Sequence, residues 1–168
     1  MTTNQPIQIR RADRADAPTL GRLGGSLVRT HYAFDAQRFL KPRPQLEEGY
    51  AHFLASQLKD EDVAVFVAER DGAIVGYVYA GMEPRSWKEL RDAAGFIHDV
   101  VVDPTARGAG VGTTLIEAAA VWLIERGAPR VMLWTAEKNR AAQRLFEQLG
   151  FRRTMVEMTR EATPAATS

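Results

Sequence analysis

The sequence predicts an α/β fold (α+β mixed): one mixed β-sheet in a single domain, flanked by about four helices. Three observations predict it. The chain has 168 residues, about the length of one domain. Its 45% hydrophobic content is that of an ordinary packed globule. Short β-rich runs and amphipathic helical segments are interspersed along it without repeats or a linker. We expect the domain to span residues 1–160 and the Ala/Thr/Ser-rich residues 161–168 to form a disordered tail.

A strand and two helices are predicted first. Residues 7–10 form a short strand, and Asp13 or Asp16 can cap the helix that follows. That helix has apolar residues at i, i+3, i+7 and i+8, namely Leu20, Leu23, Leu27 and Val28. A loop is then expected to carry His31, Tyr32 and Phe34. The helical period returns between residues 46 and 58 and predicts the second helix.

A hairpin and a buried strand come next. Residues 63–68 and 73–80 are β-rich runs, and the Asp-Gly pair between them favours a tight turn. The connection at residues 81–94 is long for a compact domain, and such loops are typically functional or mobile. Residues 96–102 end in three valines, which is typical of a strand covered on both faces.

The last third of the chain alternates helices and strands. A glycine-rich segment, residues 108–112, leads into a helix that Gly127 closes in the C′ position. A short strand is expected at residues 131–134 and a last helix up to Gly150. Residues 151–159 are predicted to form the final strand, and its Met155, Val156 and Met158 to provide a sheet-edge contact in a homodimer.

Composition excludes several classes of protein. The 22 basic and 21 acidic residues leave a net charge of +1, without the basic surface of a nucleic-acid binder. No run approaches the roughly 20 apolar residues of a membrane-spanning helix. The first ten residues lack the pattern of a secretory signal, so we expect a soluble, cytoplasmic protein with no membrane partner.

The reactive side chains are few. The sequence has no cysteine, which excludes disulfides, cysteine-based zinc sites and a cysteine nucleophile. It has three histidines without metal-ligand spacing, so no metal is expected. An enzyme of this composition would take its reactive group from a cofactor or cosubstrate.

The glycine-rich segment can hold an anion. Three glycines at alternate positions follow a buried strand and begin a helix, where the first amides are unpaired and the helix dipole is positive. Arg107 adds a charged donor. A dinucleotide fingerprint requires G-x-G-x-x-G, and a P-loop requires a lysine that is missing here. A plain strand-to-helix turn stays open as the alternative.

Two segments resemble one known family. The loop Arg107-Gly-Ala-Gly-Val-Gly112 matches the R/Q-x-x-G-x-G/A loop of the GNAT superfamily of acyl-coenzyme A N-acyltransferases. The helix from Asn139 to Phe151 is similar to that family's N-x-x-A-x-x-L-Y-x-x-x-G-F helix, with Phe146 where the family has tyrosine. The resemblance covers residues 96–151 and implies the GNAT-like fold, with the coenzyme between two parallel strands that splay apart.

The resemblance also implies a coenzyme site. The backbone of Val100 and Val102 would bind the pantetheine arm, and Asn139 would meet it from the last helix. Asn139 also fits as an ordinary helix N-cap. Phe146 would lie in the same cleft or in the core. The pyrophosphate would be held by the loop amides, which belong to Arg107, Gly108, Ala109, Gly110, Val111, Gly112 and Thr113.

The implied activity is N-acetylation, with acetyl-CoA as cosubstrate and a primary amine of a small molecule or protein as acceptor. The amine would attack the thioester directly, without an acyl-enzyme. His98 would act as general base, and Asp99 would orient His98 or the amine. Strand alternation equally allows His98 to point away from the cleft with Val100 and Val102. Because a phenyl ring donates no proton, Phe146 keeps a second function open, a non-catalytic acyl-CoA sensor on the same fold.

Overall fold

The computed structural model describes residues 6–162, which form one five-stranded sheet covered by four α-helices. The elements are β1 (Gln8–Arg11), α1 (Ala17–Phe34), α2 (Leu46–Gln57), β2 (Val63–Arg70), β3 (Ala73–Glu83), β4 (Ala94–Val102), α3 (Val111–Glu125), β5 (Val131–Leu133) and α4 (Arg140–Gln148). The predicted mixed α/β architecture is confirmed. Residues 163–168 of the predicted tail lie outside the described residues.

The sheet has the strand order β1-β2-β3-β4-β5. The first four strands are antiparallel, and β5 pairs in parallel with β4 over Gly95–Ile97 only. At the β2–β3 turn, Asp71 and Gly72 have φ values of 53° and 75°, as the Asp-Gly pair predicts. No helix in residues 6–162 has the length and apolar character needed to cross a membrane.

The core has one cluster on each face of the sheet. On one face, the buried side of α3 packs against β3 and β4; this cluster includes Leu115, Ile116, Ala119, Leu123, Val78, Ala80 and Ile97. On the other face, α1 and α2 pack against β2, β3 and β4 through Leu20, Leu23, Leu54, Val65, Val67, Tyr77 and Val101. The apolar face predicted for the first helix is therefore the face that this second cluster buries.

Helix α1 continues further than its sequence pattern predicts, through the residues expected to form a loop. Its last turns contain His31, Tyr32 and Phe34, because neither Gly nor Pro interrupts the backbone between Val28 and Phe34. The helix ends at Phe34 and is followed by its C-cap Asp35, whose carboxylate accepts hydrogen bonds from the amides of Gln37 and Arg38. One face of the final helical turns is consequently available to line the space above the sheet.

Two glycines of α1 let α2 pack closely against it. A Cβ on Gly21 would lie 2.3 Å from the carbonyl oxygen of Glu47, and one on Gly24 would lie 2.1 Å from Cδ1 of Tyr50. Real Cβ atoms do not approach other atoms so closely. The Tyr50 ring therefore occupies space that only a glycine at position 24 leaves free.

The final strand predicted at residues 151–159 is wrong. Residues 151–162 form neither strand nor helix, and Met155, Val156 and Met158 are exposed. These apolar residues do not alternate with period two, so they cannot present one apolar face to the sheet. The segment is held at the surface by an ion pair between Arg38 and Glu157, and β5 is an edge strand of the described sheet.

Candidate active site

A cavity opens where β4 and β5 part. Strand β5 ends at Leu133, opposite Ile97, while β4 continues to Val102. The cavity has a volume of about 240 Å³ and lies between this fork, the end of α1, α2 and the start of α4. It brings together five of the site residues predicted from the sequence, which are His98, Asp99, Val100, Asn139 and Phe146.

A β-bulge in β4 sets the direction of His98. Tyr79 pairs with Asp99 and the next residue, Ala80, pairs with Ile97, so His98 has no partner on β3. The bulge interrupts strict alternation. Ile97, Val100 and Val102 pack with the α3 cluster, whereas the rings of Phe96 and Tyr79 flank His98. The expectation that His98 shares a face with Val100 and Val102 is therefore wrong, because it assumed an unbroken strand.

The imidazole of His98 is fixed by its neighbours. It stacks on Phe96 with a ring-centroid distance of 5.1 Å and lies 4.8 Å from the ring centroid of Tyr79. Its Nε2 is 3.0 Å from Oε1 of Glu83, and its side chain is 29% exposed. A carboxylate beside Nε2 favours the proton on that nitrogen and leaves Nδ1 as an acceptor. Glu83 is thus the acidic group in contact with the His98 ring.

Asp99 makes its side-chain hydrogen bonds with two tyrosines. Oδ2 accepts from the hydroxyl of Tyr50 at 2.6 Å and from that of Tyr77 at 2.9 Å. Burial raises the pKa of Asp99 above its ordinary value, while these two hydrogen bonds act in the opposite direction. Burial and the nearby Asp99 carboxylate raise the pKa of both tyrosines, which remain protonated donors.

The glycine-rich loop leaves a row of backbone amides open. In the described chain, the N–H groups of residues 108–113 have no backbone acceptor, and the first bond of α3 runs from Thr114 N to Gly110 O. Gly108 and Gly110 have φ values of 77° and 78°, and a Cβ on either would meet no atom within 4 Å. The Val111 side chain is buried, so only its amide can contact a ligand.

The end of β4 presents a second free edge. Asp103 N donates to Val75 O, so the backbone groups of the alternate residues Val100 and Val102 point away from β3. On that side β5 has already ended. The Nε of Arg107 donates to the Val102 carbonyl at 3.3 Å, so the guanidinium lies against this edge.

The start of α4 forms the opposite wall. Asn139 Oδ1 accepts from Ala142 N at 3.2 Å, so Asn139 is the N-cap and also lines the cavity. The buried amide of Gln143 donates to the carbonyls of Ala136 and Glu137, which fixes the turn before the helix. Phe146 faces the cavity and packs edge-on against Phe151.

Three residues of this site could not be assigned to it from the sequence. Tyr77 lies in a β-rich run and has the pattern of a core residue, and nothing in its spacing relates it to Asp99. Tyr50 and Glu83 could be named as polar or aromatic candidates, but their partners depend on tertiary packing. The described residues contain no cluster of three His, Asp or Glu that could hold a metal ion.

Comparison with known proteins gives consistent matches. The acetyltransferase (GNAT) family profile matches residues 29–151. A mycothiol acetyltransferase of Thermomonospora curvata is 38% identical over 104 residues, 62% of this chain and 33% of that protein. An uncharacterized N-acetyltransferase of Archaeoglobus fulgidus is 34% identical over 151 residues, 88% of this chain and 94% of that protein.

Solved structures share the fold. The aminoglycoside N-acetyltransferase AAC(6')-Iy in complex with CoA superposes with a TM-score of 0.77 at 18% identity, covering 96% of this chain and 98% of that one. At this identity the similarity concerns the fold alone. The present chain spans about a third of the length of the mycothiol acetyltransferases that it matches.

Proposed function

Because the chain belongs to the acetyltransferase (GNAT) family, we propose that it transfers an acetyl group from acetyl-CoA to a primary amine by direct attack. One observation carries the proposal. The fork between β4 and β5 joins a row of open amides at residues 108–113 to a cavity that contains a histidine and a carboxylate. One end suits a pyrophosphate and the other suits proton removal from an amine.

The coenzyme would lie along the fork. The amides of the glycine-rich loop and the positive end of α3 would bind its pyrophosphate, with Arg107 as a charged donor. The open edge at Val100 and Val102 would bind the pantetheine arm, and the side chain of Arg107 would leave the Val102 carbonyl to allow this. Asn139 and Phe146 would bound the arm from α4. Acetyl-CoA supplies the thioester.

His98 would remove the proton from the amine. An alkylammonium has a pKa of about 10.4, so the acceptor must lose a proton before its nitrogen can attack. Nδ1 of His98 would take that proton, with Nε2 held by Glu83. The nitrogen then forms a bond to the acetyl carbon as the carbon–sulfur bond breaks and the electron pair leaves with sulfur. Asp99 would orient the amine.

The leaving thiolate must be accommodated without a tyrosine at position 146. A thiol with a pKa of about 8.5 is a tolerable leaving group, and water can protonate it after the carbon–sulfur bond breaks. Phe146 would then shape the cleft around the sulfur through its ring. The enzyme therefore needs only one positioned proton-transfer group, His98.

The test is release of free thiol from acetyl-CoA in the presence of an amine panel. The variant His98→Gln should lower kcat/KM about 100-fold or more, the usual contribution of a positioned base. The matched control is His52→Gln, because His52 is exposed on α2 and does not line the cavity. Turnover of His98→Gln equal to that of the unmodified protein across pH would refute the assignment of the base. Coenzyme binding without thiol release on any amine would instead indicate an acyl-CoA sensor.

We also propose that the protein acts in the cytoplasm and forms a homodimer. The coenzyme's phosphates carry charges that do not cross a bilayer readily, so the reaction belongs where acetyl-CoA is made. The exposed side chains of Met155, Val156 and Met158 support an apolar contact between two copies.

A further inference from the structure

The acceptor end of the cavity is largely apolar. Leu27 and Val28 of α1, with Phe39 and Leu40 of the following loop, face the edge of the sheet at Asp99. His31 completes this wall; its Nδ1 donates to the Leu27 carbonyl at 2.9 Å, and its ring packs edge-on against Phe39. Most of the surface that an acceptor would touch beyond its amine is therefore hydrocarbon or aromatic.

Asp99 is the single carboxylate in the cavity wall. None of the sixteen described residues that line the cavity is Lys, Arg or Glu. The acceptor end thus has one carboxylate in its wall and no fixed positive charge, and the nearby Glu83 is already paired with Nε2 of His98. A second ammonium on the acceptor would be desolvated among the apolar side chains without an unengaged carboxylate, and a carboxylate on the acceptor would face Asp99 without a cation.

One oxygen of Asp99 is left for a ligand. The hydroxyls of Tyr50 and Tyr77 both donate to Oδ2, and Oδ1 accepts no hydrogen bond within the described chain. No completely buried side-chain oxygen or nitrogen in the described chain lacks a partner, so Oδ1 is not completely buried, and Asp99 lines the cavity. An ionised carboxylate has about four acceptor sites, and two are used here. The two hydroxyls thus fix the carboxylate through Oδ2 and leave Oδ1 without a hydrogen bond, on a residue that lines the cavity.

We infer that the acceptor is a small primary amine with a single ammonium group on an uncharged, apolar aliphatic or aromatic body, and that Oδ1 of Asp99 binds this ammonium. The inference rests on the proposed acetyl transfer. The ammonium donates to Oδ1 within the same bulge that presents His98, so the group to be deprotonated is placed beside the base. The apolar body lies against the end of α1 and the following loop, where its burial adds to binding.

The test compares amines that differ by one charged group. 3-Methylbutylamine is compared with leucine, which adds a carboxylate, and pentylamine with 1,5-diaminopentane, which adds an ammonium. We expect kcat/KM to be at least ten times higher for the monoamine of each pair. The assigned acceptor class is overturned if any amine with a further charged or polar group is acetylated as well as the monoamines; the amines tested are an aminoglycoside, 1,5-diaminopentane, leucine and a tripeptide amide. Such a result leaves the proposed acetyl transfer unaffected. Absence of thiol release with every amine overturns acetyl transfer itself.

A variant pair tests the role of Asp99. Asp99→Asn keeps the shape and removes the charge, so it should raise KM for 3-methylbutylamine at least tenfold and leave coenzyme affinity unchanged. Glu47→Gln is the control, since Glu47 pairs with Arg29 at the surface and does not line the cavity. An unchanged KM in Asp99→Asn overturns the ammonium contact. Equal losses in both variants overturn it as well, because they would reflect the overall charge of the protein.

Discussion

At the scale of single residues, Tyr50 and Tyr77 donate hydrogen bonds to Asp99 that favour its ionised form. Burial raises the pKa of Asp99 and their hydroxyls partly offset this. The variant Tyr50→Phe removes one donor to the charged form, so the pKa of Asp99 should rise further. In the proposed site Asp99 binds the ammonium only when it is ionised. The acidic limb of the pH profile of kcat/KM should therefore lie at a higher pH in the variant than in the unmodified protein.

The control for that measurement is Tyr79→Phe. The Tyr79 hydroxyl donates to Gln57 at 3.1 Å and not to Asp99, while its ring contacts His98 as a phenylalanine ring would. The acidic limb of the kcat/KM profile of Tyr79→Phe should stay close to that of the unmodified protein. Equal displacement of the limb in both variants would contradict the specific role of Tyr50.

Gly24 decides whether Tyr50 can reach Asp99. In Gly24→Ala the new Cβ would lie 2.1 Å from Cδ1 of Tyr50 and displace the ring. We expect a loss of about 1–3 kcal/mol in the free energy of unfolding, and a higher KM for the amine. The control is Gly49→Ala, since Gly49 also belongs to this helix pair, on α2, but a Cβ there would meet no atom within 4 Å. Helix propensity should then stabilise the protein by about 0.5–1 kcal/mol. Urea unfolding and amine kinetics measure both, and a Gly24→Ala protein with normal KM would contradict the role of the glycine.

At the scale of elements, local signals predicted the four helices and all five strands of the described sheet. They failed at the sixth strand, which they predicted at residues 151–159, and at the bulge, which tertiary structure decides. The bulge at His98 leaves no trace in the alternation of residues 96–102, because an unpaired residue is defined by its partner strand. The backbone of the glycine-rich loop, by contrast, could be predicted because it depends on local sequence. Its positive φ values and open amides are properties of the local backbone, which glycine at these positions allows.

Two glycines at opposite ends of α3 separate folding from coenzyme binding. Gly110 before the helix and Gly127 after it have φ values of 78° and 91°, and both would place a Cβ in open space. Alanine at either position should cost about 1–2 kcal/mol, the penalty of a left-handed conformation. Only Gly110→Ala should also weaken coenzyme A binding, since it strains the amides that we propose to bind the pyrophosphate. Chemical unfolding and calorimetric titration test this, and equal coenzyme affinities would contradict the proposed cradle.

At the scale of the whole molecule, the two ends of the cleft differ in how far the sequence could predict them. The proposed coenzyme end is formed by residues 96–151, which contain both motifs that resemble the family's. The acceptor end joins α1, α2 and the bulge, so Tyr50 and Asp99 are 49 positions apart in the chain. No spacing rule connects residues at that distance, and the contact exists because the Gly24 and Gly21 positions bring the two helices together.

The exposed C-terminal segment makes the assembly of the whole molecule testable. Met155, Val156 and Met158 are 76%, 78% and 85% exposed, and clustered apolar side chains of this kind are typical of an interface. If two copies pair through them, the mass in solution at micromolar concentration should be twice 18.7 kDa, and replacing all three with serine should halve it. The control replaces Val121 and Ile124, which are also exposed but lie on the outer side of α3, and it should remain a dimer. Light scattering after size-exclusion chromatography measures these masses. A monomeric mass for the unmodified protein would refute the dimer, and a monomeric α3 variant would place the contact on α3 instead.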